Sequence, residues 1–148
     1  MSLEILEIKE ELRALIDDYA TLGDDKKLSE QMLLFTPSAT YTAYMNGVLV
    51  SSTTGKDNLE AEFKGHASQV KKYFTLNGQH AVKIDGDTAT GISFSQIKMI
   101  REQDGKDIIA DYSVRYDDQY VRQDGKWLIK NRAGHFIIAE ARVLNNAH

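Results

Sequence analysis

Three features of this sequence predict an α+β domain in which helices precede an antiparallel sheet. Apolar residues recur three or four apart near the N-terminus, the period changes to two from about Gln79 onward, and Asn-Gly or Asp-Gly pairs punctuate the alternating stretches. A parallel α/β sheet would interleave its helices with its strands instead.

Ile5, Ile8, Leu12, Leu15, Ile16, Tyr19 and Leu22 lay one apolar stripe along a first helix of about five turns, residues 3–22. Glu4, Glu7, Glu10 and Glu11 form its wet face. Gly23 is expected to stop this helix in the left-handed conformation, and Asp24 and Asp25 favour the start of a second, 26–35, closed by Pro37. In the string ATYTAYMNGVLVSS, β-branched and aromatic residues flank Asn46-Gly47, which reads as strand, type I′ turn, strand. After Gly55-Lys56-Asp57, the helical spacing of Leu59, Phe63 and His66 predicts a third helix over 56–67. Strands follow over 79–84, 88–101, 107–121 and 126–138, divided by Asp85-Gly86-Asp87, Gln103-Asp104-Gly105 and Gln123-Asp124-Gly125.

With 148 residues and no linker or repeat, the chain suits one domain, 1–148. A domain of that size buries roughly 68–70% of its unfolded surface, enough for a full core. The absence of cysteine excludes disulfides, thiolate metal sites and cysteine nucleophiles. Eighteen basic against 22 acidic residues give a formal charge of −4, and Lys and Arg do not cluster with aromatics, so nucleic acid is not an expected partner. No apolar run approaches the ~18 residues of a membrane span, and the acidic N-terminus is unlike a signal peptide; a cytoplasmic location is expected, with no membrane partner. The four histidines are far apart, with no HxH or HxxxH spacing, so no metal is expected. There is also no glycine-rich phosphate loop and no Gly-x-Ser-x-Gly elbow, and no cofactor is expected.

Four strings, in order and spacing, resemble the nuclear-transport-factor-2-like (NTF2-like) superfamily. Within it they resemble the SnoaL-like group of polyketide cyclases and scytalone-dehydratase-like enzymes. The strings are Tyr19-Ala20 through Leu34-Phe35-Thr36-Pro37; Gly55-Lys56-Asp57; Asp85-Gly86-Asp87-Thr88-Ala89; and Tyr116-Asp117-Asp118 through Asp124-Gly125-Lys126-Trp127. The resemblance implies a cone, with a strongly bent sheet wrapped around the first helix and a cavity at the open end. It implies a small-molecule ligand and cofactor-independent lyase or isomerase chemistry, dehydratase- or cyclase-like, on a small apolar carbonyl or hydroxylated compound. The same superfamily also contains non-catalytic proteins that bind a ligand or a partner, and that alternative stays open.

Related dehydratases pair an Asp just after the first helix with a His on the sheet. Counting back from Phe35 and Pro37, the Asp falls on Asp24, although a carboxylate there could also cap the second helix. Counting back from Asp85-Gly86-Asp87, the His position falls near Thr75, where there is no histidine. His80, on the parity of Val82 and Ile84, is the catalytic candidate in its place, or else a hydrogen-bonded core residue. His66 and His135 are substitutes from other elements, and the tail residue His148 has no case.

Val114, Tyr116, Asp118 and Tyr120 share one strand face, and Trp127, Ile129 and Asn131 share one face of the next. The predicted substrate-binding wall is therefore Tyr41, Tyr44, Tyr116, Asp118, Trp127, Asn131 and His135, with Tyr112 a further phenol. A symmetrical register about Asp124-Gly125 sets Asp118 opposite Asn131; Arg132 on the neighbouring strand is the other candidate partner for the Asp118 charge, although its parity turns it the other way. On that reading Asp118→Asn alters ligand binding more than stability. Ile92, Phe94, Ile108 and Tyr120 are expected to give the sheet an apolar outer face, and a homodimer through it.

Overall fold

The computed structural model describes residues 2–145; His148 lies outside them. Along the chain come helices α1 (Leu3–Asp24) and α2 (Leu28–Gln31), a 3₁₀ turn (Met32–Leu34), strands β1 (Phe35–Met45) and β2 (Val48–Thr54), and helix α3 (Lys56–Ala67). Strands β3 (Lys72–Asp85), β4 (Thr88–Gln103), β5 (Lys106–Gln123) and β6 (Lys126–Val143) complete it. No helix among the described residues is long and apolar enough to cross a membrane.

The strands form one curved six-stranded sheet in the order β2-β1-β6-β5-β4-β3. It is mixed rather than wholly antiparallel: four neighbouring pairs are antiparallel, and β1 runs parallel to β6. The hairpins carry turn signals in the sequence. The parallel pair has none, because β6, hairpinned to β5, simply offers its far edge to a strand from the other end of the chain. The turns take the chemistry their residues favour. Asn46 and Gly47 (φ 51° and 79°), Asp104 and Gly105 (53° and 78°), and Asp124 and Gly125 (52° and 75°) each place two positive φ values side by side, as a type I′ turn requires.

The helical segment departs from expectation in two places. Gly23 stays inside α1, and the left-handed residue is Lys26, at φ 58°. Glycine at 23 answers a different need: a Cβ there would lie 2.9 Å from Gln31 Nε2, which donates to the Tyr19 carbonyl. The second helix is also shorter than 26–35. It tightens into the 3₁₀ turn and gives way at Phe35, whose buried ring starts β1. Pro37 sits exposed where the β1–β6 ladder skips from Phe35 to Thr40, a place where a missing N–H costs no ladder bond.

The apolar stripe of α1 lies in the concave face of the sheet. Ile8, Leu12, Leu15 and Ile16 pack with Phe35, Leu59, Ala89, Tyr120, Trp127 and Ile129 in one core cluster. Leu12, Ile16, Leu59 and Ile129 are wholly buried, each contributing roughly 1.5–3 kcal/mol relative to exposure. Tyr120, expected on an outer dimer face, belongs to this core at 1% exposure. The apolar groups on the outer face are instead Phe74, Leu76, Ile137 and Ile138, with Phe94 half-buried among them.

The β5–β6 ladder slips twice. Tyr120 pairs with Ile129 but Gln119 with Asn131, so Lys130 is an extra residue, and a second slip falls between Ser113 and Val114. An extra residue reverses the inward and outward parity of everything beyond it. Trp127 and Ile129 point inward, and after the bulge Arg132 and Gly134 do so in place of Asn131 and Ala133.

Candidate functional site

Between α1, α3 and the concave face of the sheet lies a cavity of about 340 Å³, at the lower end of the range for small-molecule sites. Its wall is chiefly aromatic and aliphatic, with Tyr41, Phe63, Ile97, Met99, Tyr112 and Phe136 prominent. Asp24, His66, Tyr73, Thr75, Asn77, Tyr116 and Arg132 bring polar groups to it.

Asp24 ends α1, and its carboxylate accepts two hydrogen bonds from one residue of β3. Thr75 donates its backbone N–H at 2.7 Å and its hydroxyl at 2.8 Å. The capping alternative for Asp24 is not seen, since the N-cap of α2 is Lys27 and carries no side-chain bond. The place where the resemblance expects a histidine is therefore occupied by a threonine that binds both carboxylate oxygens.

His80 faces inward but does not line the cavity. Its Nε2 lies 3.1 Å from the Tyr120 hydroxyl, and that hydroxyl donates to Asp118 at 2.7 Å. Burial first, then Arg13 and Arg132, push the His80 imidazole down to about 4, so it is neutral at pH 7. Glycine at 91 leaves room for this packing.

Asp118 and Trp127 also point inward, but they lie behind the cavity wall in the core. Asp118 faces Arg132 across the strands, not Asn131, because of the bulge at Lys130. Asn131 instead donates to Gln119 at 2.6 Å on the outer surface. Arg132 Nε and Asp118 Oδ1 are 3.4 Å apart with side chains 1% and 0% exposed, close enough for charge attraction but not aligned for a hydrogen bond. Burial raises the Asp118 carboxyl above its ordinary value, against the pull of Arg132 and the Tyr120 hydroxyl. Burial alone would lower Arg132, but Asp118 and the surrounding phenols more than offset it, and the guanidinium keeps its charge. Its Cζ lies 3.7 Å from the Tyr116 ring centroid and 4.3 Å from that of Tyr19, a cation held between two aromatic faces. With Asp118 off the cavity wall, its replacement by Asn is now expected to act on stability first.

Of the residues singled out from sequence, Asp24, Tyr41, His66, Tyr112 and Tyr116 meet at the cavity. Tyr44 and His135 stack on each other at 4.9 Å on the outer face, where His135 Nε2 is 3.1 Å from Asp117. What the sequence did not indicate is a second cavity pair. His66 Nδ1 on α3 is 2.6 Å from the Tyr73 hydroxyl on β3, with the rings stacked at 5.8 Å. No group of three or more potential metal ligands occurs among the described residues.

A curved mixed sheet closed by α1 and α3 over an apolar cavity is an α+β architecture of the NTF2-like kind. A sequence model of the SnoaL-like domain matches residues 4–133, and the chain belongs to that family. No curated protein sequence matches it. Among solved structures, it is similar to a candidate scytalone dehydratase from Novosphingobium aromaticivorans, with a TM-score of 0.78 and 18% identity over 93% of this chain and 88% of the other. It is also similar to the LinA-type3 hexachlorocyclohexane dehydrochlorinase of Novosphingobium barchaimii (0.79, 15%, 99% and 96%). A Mycobacterium tuberculosis protein of unknown function is a further match (0.74, 24%, 88% and 72%). At these identities the likeness is one of fold.

Proposed function

We propose that the cavity takes up a small, mostly apolar compound carrying a carbonyl or hydroxyl oxygen, and that the protein is a cofactor-independent lyase or isomerase acting on it by proton transfer. The observation that carries this reading is the cavity itself: an aromatic and aliphatic wall around about 340 Å³, with Asp24, Glu62, Arg132 and several neutral hydrogen-bonding groups on it. Such a wall rewards apolar surface, and a few fixed polar groups orient one oxygen. Removing a proton beside a carbonyl needs only a positioned base and a hydrogen bond to that oxygen. Family membership and the dehydratase and dehydrochlorinase among the structural neighbours support the same class.

A non-catalytic ligand carrier is the second reading, favoured by one observation: both Asp24 oxygens are already engaged by Thr75. Ligand-observed NMR with a panel of small cyclic ketones and phenols tests the shared part. Members should bind, and Ala20→Phe, which fills the cavity, should abolish binding; a panel without binders, or binding indifferent to Ala20→Phe, refutes the proposal. A homodimer through the outer sheet face, around Phe74, Leu76, Ile137 and Ile138, and a cytoplasmic location are proposed alongside.

A further inference from the structure

We propose that His66 and Tyr73 form a neutral proton relay that converts a ketone held in the cavity to its enol. The inference rests on the cavity reading above and deepens it by naming the reacting groups and the substrate class, an enolisable ketone. Two elements bring the pair together, α3 supplying the imidazole and β3 the phenol. Both side chains line the cavity, and Nδ1 and the hydroxyl oxygen are 2.6 Å apart. No partner for His66 Nε2 is found among the described residues.

The step balances without any charged intermediate. Nε2 takes the proton from the carbon beside the carbonyl, and the C–H electron pair becomes the enol double bond. The Nδ1 proton passes to the Tyr73 oxygen, and the Tyr73 hydroxyl proton passes to the carbonyl oxygen, whose π pair forms the new O–H bond. Histidine ends as the Nε2–H tautomer and tyrosine ends as a phenol. Reversal returns the proton to the same carbon, or to the far carbon of a conjugated enol, and the second outcome is a double-bond isomerisation.

The surroundings favour a route that avoids imidazolium and phenolate. Burial and then Arg101 lower His66 below its ordinary value, with Glu62 pulling weakly the other way. The residue as a whole is exposed, yet burial of the ring is the largest cause that disfavours its cation. Burial pushes Tyr73 up to about 12, with Arg101 opposing and Asp24 adding to the rise. Asp24, Glu62 and Arg101 are thus the charged groups acting on the pair. With Asp24 engaged by Thr75, the relay supplies the acid and the base from elsewhere on the same wall.

The probe is 2-tetralone in D₂O, followed by NMR for binding and for deuterium uptake beside the carbonyl. The wild-type protein should bind it and accelerate uptake over buffer. His66→Gln and Tyr73→Phe should each lower the protein-dependent rate about 100-fold with little change in affinity, as loss of one acid–base group does. The double variant should lose no more than either single one, because the two act as a unit. Melting curves establish that the variants fold, and ¹⁵N shifts of wild-type His66 at pH 7 should show a proton on Nδ1 and a bare Nε2. Binding and uptake that survive both substitutions overturn the relay and leave the cavity reading intact. Binding without uptake also overturns the relay and favours a carrier. Failure to bind overturns both, and so does binding that Ala20→Phe leaves unchanged.

Discussion

Asp118→Asn should cost the fold about 3 kcal/mol at pH 7. Asp118 and Arg132 have side chains 0% and 1% exposed, so neither charge can turn to water when its partner goes. A buried pair broken on one side typically loses 3–5 kcal/mol, because the remaining charge is uncompensated. Guanidinium cannot escape by losing its proton. The lower end applies because the Asn oxygen still accepts from the Tyr120 hydroxyl, as Asp118 does at 2.7 Å. At roughly 2–4 °C per kcal/mol for a domain of this size, melting should fall by about 6–12 °C.

Arg132→Met should behave differently, because the remaining carboxyl can take up a proton. Burial already raises the folded-state value of Asp118, and the substitution removes the group that most holds it down. A carboxyl raised on folding stabilises fully below its unfolded value, near 3.9, and that contribution is lost as pH rises through the folded one. The Arg132→Met deficit should therefore grow between pH 5 and pH 8. Urea unfolding followed by Trp127 fluorescence at both pH values measures it. An Asp118→Asn protein within about 1 kcal/mol of wild type, or an Arg132→Met deficit equal at the two pH values, refutes the reasoning.

Gly91→Ala should destabilise by about 1–3 kcal/mol in the same unfolding assay, since overpacking forces neighbours to move. Its Cβ would sit 2.8 Å from Tyr120 Cε2, 2.9 Å from its hydroxyl and 3.1 Å from His80 Nε2. The His80 ring, pushed down to about 4, should still be neutral at pH 5 by NMR. Because the unfolded chain binds that proton near 6.5, His80 should weaken the fold progressively as pH falls from about 6.5 towards 4. Light scattering at micromolar concentration should return twice the chain mass of 16.7 kDa, and Leu76→Lys with Ile138→Lys should return the monomer; a wild-type monomer refutes the dimer.

The sequence made legible what rests on local chemistry. Paired positive φ values at Asn46-Gly47, Asp104-Gly105 and Asp124-Gly125 need residues that tolerate them, and those residues announce the hairpins. The stripe from Ile8 to Ile16 likewise announced the face that α1 buries. A bulge has no such signal. Nothing in Ile129-Lys130-Asn131 says that Lys130 is supernumerary, so alternation carried past it assigns Asn131 and His135 to the cavity and Arg132 to solvent, the reverse of what is found. The start of β3, at Lys72 and not Gln79, is hidden for the opposite reason. Phe74 and Leu76 are exposed while Tyr73, Thr75 and Asn77 face the cavity, so polar groups point in and apolar ones out. A strand whose inner face serves a ligand breaks the pattern by which strands are recognised. His66 keeps helical spacing on α3, but its partner Tyr73 lies on the part of β3 that carries no strand pattern, and so the pair has no signal in the sequence.

The position of β6 between β1 and β5 bears on how the protein is made. The N-terminal hairpin of β1 and β2 joins the rest of the sheet only through β6, the strand that leaves the ribosome after all the others. During synthesis the edge of β1 that pairs with β6 must stay open while β3, β4 and β5 emerge. The two halves cannot register until the final strand slides between them. Such late, long-range closure makes for slow folding and leaves the growing chain open to chaperones and to pairing with its neighbours. Losing the end of β6 would therefore be expected to cost the nascent chain its completed sheet, whereas trimming the outer strand β2 would leave β1 still paired.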